Sequence, residues 1–185
     1  ADNDVDEVFQ GFEGADFIDG RGGDDRVSYR FEVEDGGRQG VVVDLAAETA
    51  TDAFGDADTL IGIVDVDGTP LADVIIGDAD DDNDIAGFAG ADTLDGGDGF
   101  GDDLRYDREN GGAGVQVNLA TGVAIDSFGD TDQVTGFEAV FGTDFDDLLT
   151  GDAGRNFFLP GAGNDVVDGN DATADDQVAY GFDGR

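Results

Sequence analysis

The sequence feature that most constrains the fold is a nine-residue pattern that returns along most of the chain. Each copy has a glycine-rich turn, then an acidic or amide residue, then a short stretch with one large apolar residue. Clear copies begin at Gly14, Gly90 and Gly161. A unit this short cannot bury an apolar core alone, so it becomes stable only when consecutive copies stack. The pattern therefore predicts a solenoid of short strands.

The composition is strongly acidic, with 46 acidic residues against 8 arginines and a formal net charge of -38. Nucleic acid is therefore excluded as a partner, and so is insertion into a membrane, since the chain offers neither a basic patch nor a long apolar run. Such a composition is also typical of disordered segments. We expect that alternative mainly for the metal-free chain, because 39% of the residues are apolar and they are regularly spaced.

Cysteine and histidine are absent, which removes disulfides and the usual zinc ligands. No signal peptide opens the sequence, and the first residue is Ala1. We therefore expect a monomeric piece of a larger protein.

The nonapeptides are themselves part of a longer repeat. The stretch that begins at Asp58 matches the stretch that begins at Asp132, 74 positions later. These matches predict the tail of one module at 1–29, full modules at 30–106 and 107–180, and the start of a truncated module at 181–185. We expect each full module to be a hairpin followed by nonapeptides.

The hairpins are predicted at 40–54 and 114–126, and the nonapeptide stacks at 68–105 and 142–179. In the second hairpin Val115, Val117 and Leu119 alternate with polar residues, which is typical of a half-buried strand. No convincing amphipathic helix is present, so the predicted fold class is all-β.

The sixth place of each nonapeptide carries the candidate metal ligands. They are Glu7, Asp16, Asp25, Asp73, Asn83, Asp92, Asp102, Asp147, Asn156, Asp165 and Asp176. Two nonapeptides make one coil, so every second loop falls on the same side of the stack. Glu7 and Asp25, like Asp147 and Asp165, should then lie about 4.8 Å apart on neighbouring coils.

Carboxylates held this close repel each other, and a cation between them reverses the sign of the interaction. Calcium fits best, because it takes about six to eight oxygens in irregular geometry and accepts backbone carbonyls, whereas magnesium demands a stricter octahedron. Glycines let the backbone turn its carbonyls toward an ion. The predicted glycine ligands are Gly14, Gly23, Gly90, Gly99, Gly154 and Gly163. The alternative for the aspartates is a solvated acidic face.

The apolar residue two places after each ligand position is predicted to fill the core. These residues are Ile18, Val27, Ile75, Leu94, Leu104, Leu149, Phe158, Val167 and Val178. Tyr29, Tyr106 and Tyr180 recur at matching module positions and are also interpreted as packing residues.

The motif resembles the glycine- and aspartate-rich nonapeptide G-G-x-G-x-D-x-U-x of RTX proteins, also called haemolysin-type calcium-binding repeats. The resemblance covers nearly the whole chain. It implies a parallel β-roll, a right-handed β-helix-like solenoid, with several calcium ions between stacked loops. It also implies export by a bacterial type I secretion machinery and folding in extracellular calcium. Leu71 and Phe145 depart from the pattern, since they replace the expected fourth-position glycine.

The predicted function is a calcium-dependent folding and stability module of a secreted bacterial protein. One alternative is a structural or ligand-binding segment of a large RTX adhesin. A weaker alternative is a β-helix polysaccharide lyase or epimerase that uses Arg105 and Arg108 near Asp102 and Asp107. We predict no enzyme, because the chain lacks the histidine, cysteine and lysine of the common catalytic sets.

Overall fold

The structure is a computed structural model that describes residues 5–79, 82–170 and 175–180. The truncated module predicted at 181–185 lies outside these residues, as do residues 80–81 and 171–174 of the predicted nonapeptide stacks.

The described chain is all-β, as predicted, and its strands are short. They are β1 (Val8–Phe9), β2 (Phe17–Asp19), β3 (Arg26–Ser28), β4 (Val42–Asp44), β5 (Thr49–Thr51), β6 (Ala57–Ile61), β7 (Asp65–Asp67), β8 (Val74–Ile76), β9 (Asp84–Ala86), β10 (Thr93–Asp95), β11 (Asp103–Arg105), β12 (Gln116–Asn118), β13 (Val123–Ile125), β14 (Thr131–Thr135), β15 (Ala139–Phe141), β16 (Leu148–Thr150), β17 (Phe157–Leu159), β18 (Val166–Asp168) and β19 (Gln177–Val178). These residues include no helix, and so no helix that could cross a membrane.

The strands form two sheets between which the chain alternates. Sheet A has the order β1-β3-β7-β9-β11-β15-β17-β19, and every pair of neighbours in it is parallel. Sheet B has the order β18-β16-β12-β13-β14-β10-β8-β4-β5-β6-β2. Alternation between two sheets with parallel neighbours is compatible with a β-solenoid.

Sheet B contains two three-stranded antiparallel units, which we call the meanders. The first joins β4, β5 and β6, and the second joins β12, β13 and β14. The first two strands of each lie within the predicted hairpin ranges. The third strand was not predicted, because its sequence resembles the start of a nonapeptide.

In most of the three-residue strands the central residue is buried between the two sheets. Seven of the nine predicted core residues are buried, from Ile18 at 7% exposure to Phe158 at 0%. Val167 is only partly buried, and Val178 is 43% exposed. The prediction that Val178 is buried is wrong for the described residues, since β19 is the last strand of sheet A among them and no further described strand covers it.

The three tyrosines predicted as packing residues also differ in burial. Tyr29 and Tyr106 are buried, as predicted, whereas Tyr180 is 67% exposed beyond the last strand of its sheet. The spacing that placed Tyr180 in the core is correct within a continuous stack but fails where the stack ends.

Candidate metal centre

The predicted ligand positions lie directly before strands, at the edge where the chain enters each sheet. Asp92 precedes β10 in sheet B, Asp102 precedes β11 in sheet A, and the other predicted sixth-place residues follow the same rule. Because neighbouring parallel strands are paired in register, these residues form two ladders, one along each sheet.

Adjacent rungs are joined by hydrogen bonds from backbone amides to side-chain carboxylates. The Asp147 N–H donates to Oδ1 of Asp165 at 3.0 Å, and the Glu7 N–H donates to Oδ1 of Asp25 at 2.8 Å. These are the two pairs predicted to lie on neighbouring coils. The same bond, at 2.9 Å, links Asp73 to Asp92, Asn83 to Asp102 and Asn156 to Asp176. Each accepting carboxylate thereby uses one oxygen in a hydrogen bond. Whether its loop can bind a ligand depends on the partners of the second oxygen.

Three further acids belong to the ladders and were not predicted as site residues. Asp58 accepts the Asp16 N–H at 2.9 Å, and Asp132 accepts the Asp92 N–H at 3.1 Å. The side chain of Glu138 accepts the Asp102 N–H at 3.2 Å. The 74-residue match between Asp58 and Asp132 was a usable signal for two of them.

In two loops the chain itself satisfies the second oxygen. Asp73 accepts the N–H of Thr69 at 2.6 Å, the hydroxyl of Thr69 at 2.9 Å and the N–H of Val41 at 2.7 Å. The loop at 142–147 repeats these three bonds around Asp147. We call these two the threonine loops. They are the loops in which Leu71 and Phe145 replace the expected glycine.

The two asparagine positions are satisfied in a similar way. The amide oxygen of Asn83 accepts the Asp78 N–H at 2.8 Å, and its amide nitrogen donates to the carbonyl of Val64 at 2.9 Å. The amide oxygen of Asn156 accepts the Asp152 N–H at 2.8 Å. Asparagine thus replaces a carboxylate where the surroundings supply both a donor and an acceptor: the Val64 carbonyl accepts from Asn83, and Oδ1 of Asp152 accepts from Asn156 at 3.3 Å.

In four other loops one carboxylate oxygen is buried without any hydrogen-bond partner. This oxygen is Oδ2 of Asp16, Asp25, Asp92 and Asp102. Three of these residues are at most 1% exposed, and Asp16 is half-buried. We call the loops at 11–16, 20–25, 87–92 and 96–102 the glycine loops. A buried carboxylate oxygen without a donor or a cation is costly.

The backbone explains why the two classes of loop differ. In three glycine loops the residue four places before the aspartate has a left-handed conformation: Phe12 at φ 59°, Arg21 at φ 74° and Phe88 at φ 66°. In the threonine loops this place is held by Thr69 and Thr143, whose N–H groups reach the carboxylate. A left-handed conformation in a bulky residue costs on the order of 1–3 kcal/mol, and such strain is concentrated at functional sites.

Four of the six predicted glycine ligands also have positive φ: Gly14, Gly23, Gly90 and Gly163. A Cβ at Gly90 would lie 2.6 Å from the carbonyl carbon of Leu71, and one at Gly163 would lie 2.5 Å from the carbonyl oxygen of Phe145. Backbones of neighbouring coils therefore approach closely at these glycines. Gly99 and Gly154 are not among the glycines with positive φ.

The electrostatics of the ladders reflect buried, like-charged groups. The pKa of Asp92 is raised to about 9, mainly by burial and in addition by the nearby charges of Asp73 and Asp132. Burial likewise raises the pKa of Asp73 to about 7 and that of Asp102 to about 6. A proton or a cation would stabilise these carboxylates at neutral pH.

The remaining predicted ligands lie at the ends of the stack. Asp165 and Asp176 are half-buried before the last strands of sheets B and A, and Glu7 is exposed before the first strand of sheet A. A ladder neighbour lies on only one side of each of them.

The arginines form a separate network on sheet A. Arg26 pairs with Asp65 at 2.7 Å, Arg105 with Asp84 at 2.7 Å and with Asp107 at 2.8 Å, and Arg108 with Asp67 at 3.0 Å. In residues 5–79, 82–170 and 175–180 no arginine forms an ion pair with the aspartates of the glycine loops. The partners of Arg105 and Arg108 do not include Asp102, which the enzyme alternative had grouped with them.

The donor set of the glycine loops fits calcium when backbone oxygens are included. Among the described residues, no three acidic side chains converge closely enough to hold a metal by themselves. The unpartnered Oδ2 atoms would therefore need backbone carbonyl oxygens beside them; the loop at 87–92 has the Leu71 carbonyl of a neighbouring coil close to its Gly90. Calcium accepts this mixture of ligands, whereas zinc prefers side chains that the chain lacks.

Comparison with known proteins adds no assignment. No family model matches the chain, and no curated protein matches it significantly.

Proposed function

We propose that this chain is a calcium-binding RTX repeat region that folds on calcium binding and supports the extracellular stability of a larger bacterial protein. The observation that carries the proposal is the set of buried, unpartnered Oδ2 atoms at one place of the repeated glycine loops. Each of these atoms belongs to an aspartate that directly precedes a strand, in a loop that is hydrogen-bonded to the loop of a neighbouring coil, and an ion between the two loops would give it a partner.

The fold we propose is a parallel β-roll, a right-handed solenoid into which the two meanders are inserted. The alternation between two sheets and the parallel pairing of sheet A support it. The handedness rests on the family resemblance.

The ions would bind at the glycine loops, held by Asp16, Asp25, Asp92 and Asp102 together with loop carbonyls. Asp73 and Asp147 would act differently, since the carboxylate of each already accepts three hydrogen bonds from the chain. We expect these two residues to hold the shape of their loops without a metal.

Calcium would decide whether the chain folds, because the repulsion among its negative charges strongly opposes folding. The formal net charge is -38, and in the described part of the chain no arginine forms an ion pair with the glycine-loop aspartates. One site at a hundred times its dissociation constant contributes about 2.7 kcal/mol, so a few sites reach the stability of a typical domain.

Secretion is proposed from the resemblance together with this chemistry. A chain that stays expanded in low cytosolic calcium could be threaded through a type I secretion machinery and would fold outside the cell. Lyase or epimerase activity is not part of the proposal.

A role as a segment of a large adhesin is the second candidate. The observation that favours it is the repetition of one meander in both modules with equivalent strand pairing. Many such modules in series would form an extended spacer.

Circular dichroism tests the main proposal. The chain in EGTA should lack β signal, and millimolar calcium should restore it, while equal magnesium should restore much less. A β signal that is the same in EGTA and in calcium would contradict the proposal.

A further inference from the structure

A second group of buried acids lies outside the ladders, at the base of each meander. In the first meander these are Glu32 and Asp52, which are 1% and 0% exposed. Within the described residues Oδ2 of Asp52 has no hydrogen-bond partner, and Oε1 of Glu32 has none in hydrogen-bond geometry, although the backbone N–H of Phe12 acts on the Glu32 carboxyl group and lowers its pKa against the effect of burial. Neither residue belongs to the nonapeptide pattern, and the ladder does not use either of them.

Each of these carboxylates is fixed by its other oxygen. Oε2 of Glu32 accepts the N–H of Ala53 at 3.0 Å, the residue that follows Asp52. Oδ1 of Asp52 accepts the N–H groups of Phe54 and Asp56 at 2.9 and 2.7 Å. Both side chains are therefore held by the same tight turn, and the charge of Asp52 acts directly on Glu32.

The same arrangement recurs in the second meander. Oε2 of Glu109 accepts the N–H and the hydroxyl of Ser127 at 3.1 and 2.6 Å, and Oδ1 of Asp126 accepts the N–H of Phe128 at 3.0 Å. Oε1 of Glu109 and Oδ2 of Asp126 are again buried and unpartnered. The turn has the sequence Asp-x-Phe-Gly-Asp-x-Asp at 52–58 and again at 126–132.

A buried tyrosine lies beside each acid pair. Tyr106 donates its hydroxyl to Asp132 at 2.9 Å, and the charges of Glu109 and Asp126 act on it. Tyr29 stands in the same relation to Asp58, Glu32 and Asp52. The tyrosine thus marks the position of the pair and provides an optical probe for it.

We propose that each meander binds one divalent cation, calcium by its ligand chemistry, between Glu32 and Asp52 in the first and between Glu109 and Asp126 in the second. Two unpartnered carboxylate oxygens start the coordination, and carbonyls of the turn and water complete it, as calcium permits. The inference goes beyond the proposed function, since it does not require the ladders to bind calcium.

A shared proton is the competing explanation for the same geometry. Burial raises the pKa of Glu32 to about 7 and that of Glu109 to about 8, so a proton or a cation would relieve either pair. The two explanations differ in whether a metal lies close to the tyrosine.

Terbium luminescence separates them, because terbium replaces calcium at oxygen sites and is sensitised by a nearby aromatic donor. The chain has no tryptophan and 3 tyrosines, of which Tyr180 is exposed. Tyrosine-sensitised emission and bound terbium are measured together on the full chain. Glu109→Gln should remove one bound ion and lower the emission by about half, since the two meanders are independent.

Tyr106→Phe is the matched control. It should lower the emission by a similar amount without changing the number of bound ions, because it removes the donor and keeps the acid pair. Asp126→Asn is the second variant, used with Glu109→Gln so that a folding defect in one does not decide the result. Circular dichroism in terbium verifies that each variant is folded.

Two results would overturn the inference. One is full emission and full terbium binding in both acid variants, which would leave the shared proton as the explanation. The other is loss of emission in Asp92→Asn but not in Glu109→Gln, which would assign the ion near Tyr106 to the ladder. Failure of the wild-type chain to fold on calcium addition would contradict the proposed function instead. Circular dichroism detects that failure without reference to the terbium measurements.

Discussion

The threonine loops and the glycine loops occupy equivalent places before their strands, but they satisfy the buried carboxylate differently. In the loop that ends at Asp73, the N–H and hydroxyl of Thr69 reach the carboxylate. In the loop that ends at Asp92, Phe88 has φ 66° and Oδ2 of the aspartate has no partner. The difference at this one place, Thr69 in one loop and Phe88 in the other, thus distinguishes a loop whose carboxylate is fully hydrogen-bonded from a loop whose carboxylate lacks a partner.

The comparison indicates how one repeat can serve two purposes. Threonine loops provide rungs whose hydrogen bonds need no ion, and the aspartate of each also accepts the N–H of the residue just before the first strand of a meander. Glycine loops store backbone strain and an unpaired charge, both of which a cation can offset. An aspartate at the sixth place is therefore insufficient to identify a ligand.

Acid should have the largest effect, and it should act on the calcium-free chain. Burial raises the pKa of Asp92 to about 9 and that of Asp73 to about 7, whereas an aspartate in an unfolded chain titrates near about 4. A raised folded-state pKa gives stability that is fully present below about pH 4 and is lost as the pH rises through about 7 to 9.

The calcium-free chain should therefore gain β structure between about pH 8 and about pH 5, and the calcium-bound chain should change little. Circular dichroism at both pH values, with and without EGTA, checks this. A calcium-free chain that remains equally expanded at both would show that the buried carboxylates do not control folding.

Gly90→Ala should lower the free energy of unfolding by about 3 kcal/mol in saturating calcium, from backbone strain and close packing together. Gly90 has φ 126°, and a Cβ there would lie 2.6 Å from the carbonyl carbon of Leu71. Gly154→Ala is the control, since a Cβ there meets only the side chain of Asp152, at 3.1 Å, and its φ is not positive. Urea unfolding of both variants gives the comparison, and equal losses would contradict it.

Asp92→Asn and Asp73→Asn should separate the two classes of loop. Loss of the glycine-loop site should remove one calcium from the stoichiometry and about 2.7 kcal/mol of stabilisation at a hundredfold excess over the dissociation constant. Asp73→Asn should leave the stoichiometry unchanged, because hydrogen bonds of the chain fill that carboxylate. Calorimetric titration measures both, and loss of an ion in each variant would remove the distinction.

Thr69→Val should have the smallest effect, a loss of about 2 kcal/mol, because the hydroxyl both donates to Asp73 and accepts the N–H of Leu71; the calcium stoichiometry should be unchanged. Thr93→Val, at an exposed position of β10, should stay within about 0.5 kcal/mol of the wild-type chain. Urea unfolding in calcium checks both. A Thr69→Val variant as stable as Thr93→Val would mean that the hydroxyl does not hold its loop.

The nonapeptide spacing predicted the ladder positions and core residues such as Leu94 and Leu149, because the period alone fixes which residue precedes a strand and which points inward. It failed at Val178, since a period does not reveal where a stack ends. The sequence marked the loops of Asp73 and Asp147 as departures through Leu71 and Phe145, but it did not show that a threonine completes each carboxylate, because this depends on the backbone conformation four residues before the aspartate. Glu32 and Glu109 were missed because they lie outside the nonapeptide, although they recur 77 positions apart.

Anomalous diffraction from crystals grown in calcium tests the central claim most directly. The account predicts ions beside Oδ2 of Asp25, Asp92 and Asp102, and none at the carboxylates of Asp73 and Asp147. Ions at all five carboxylates, or at none of them, would contradict it.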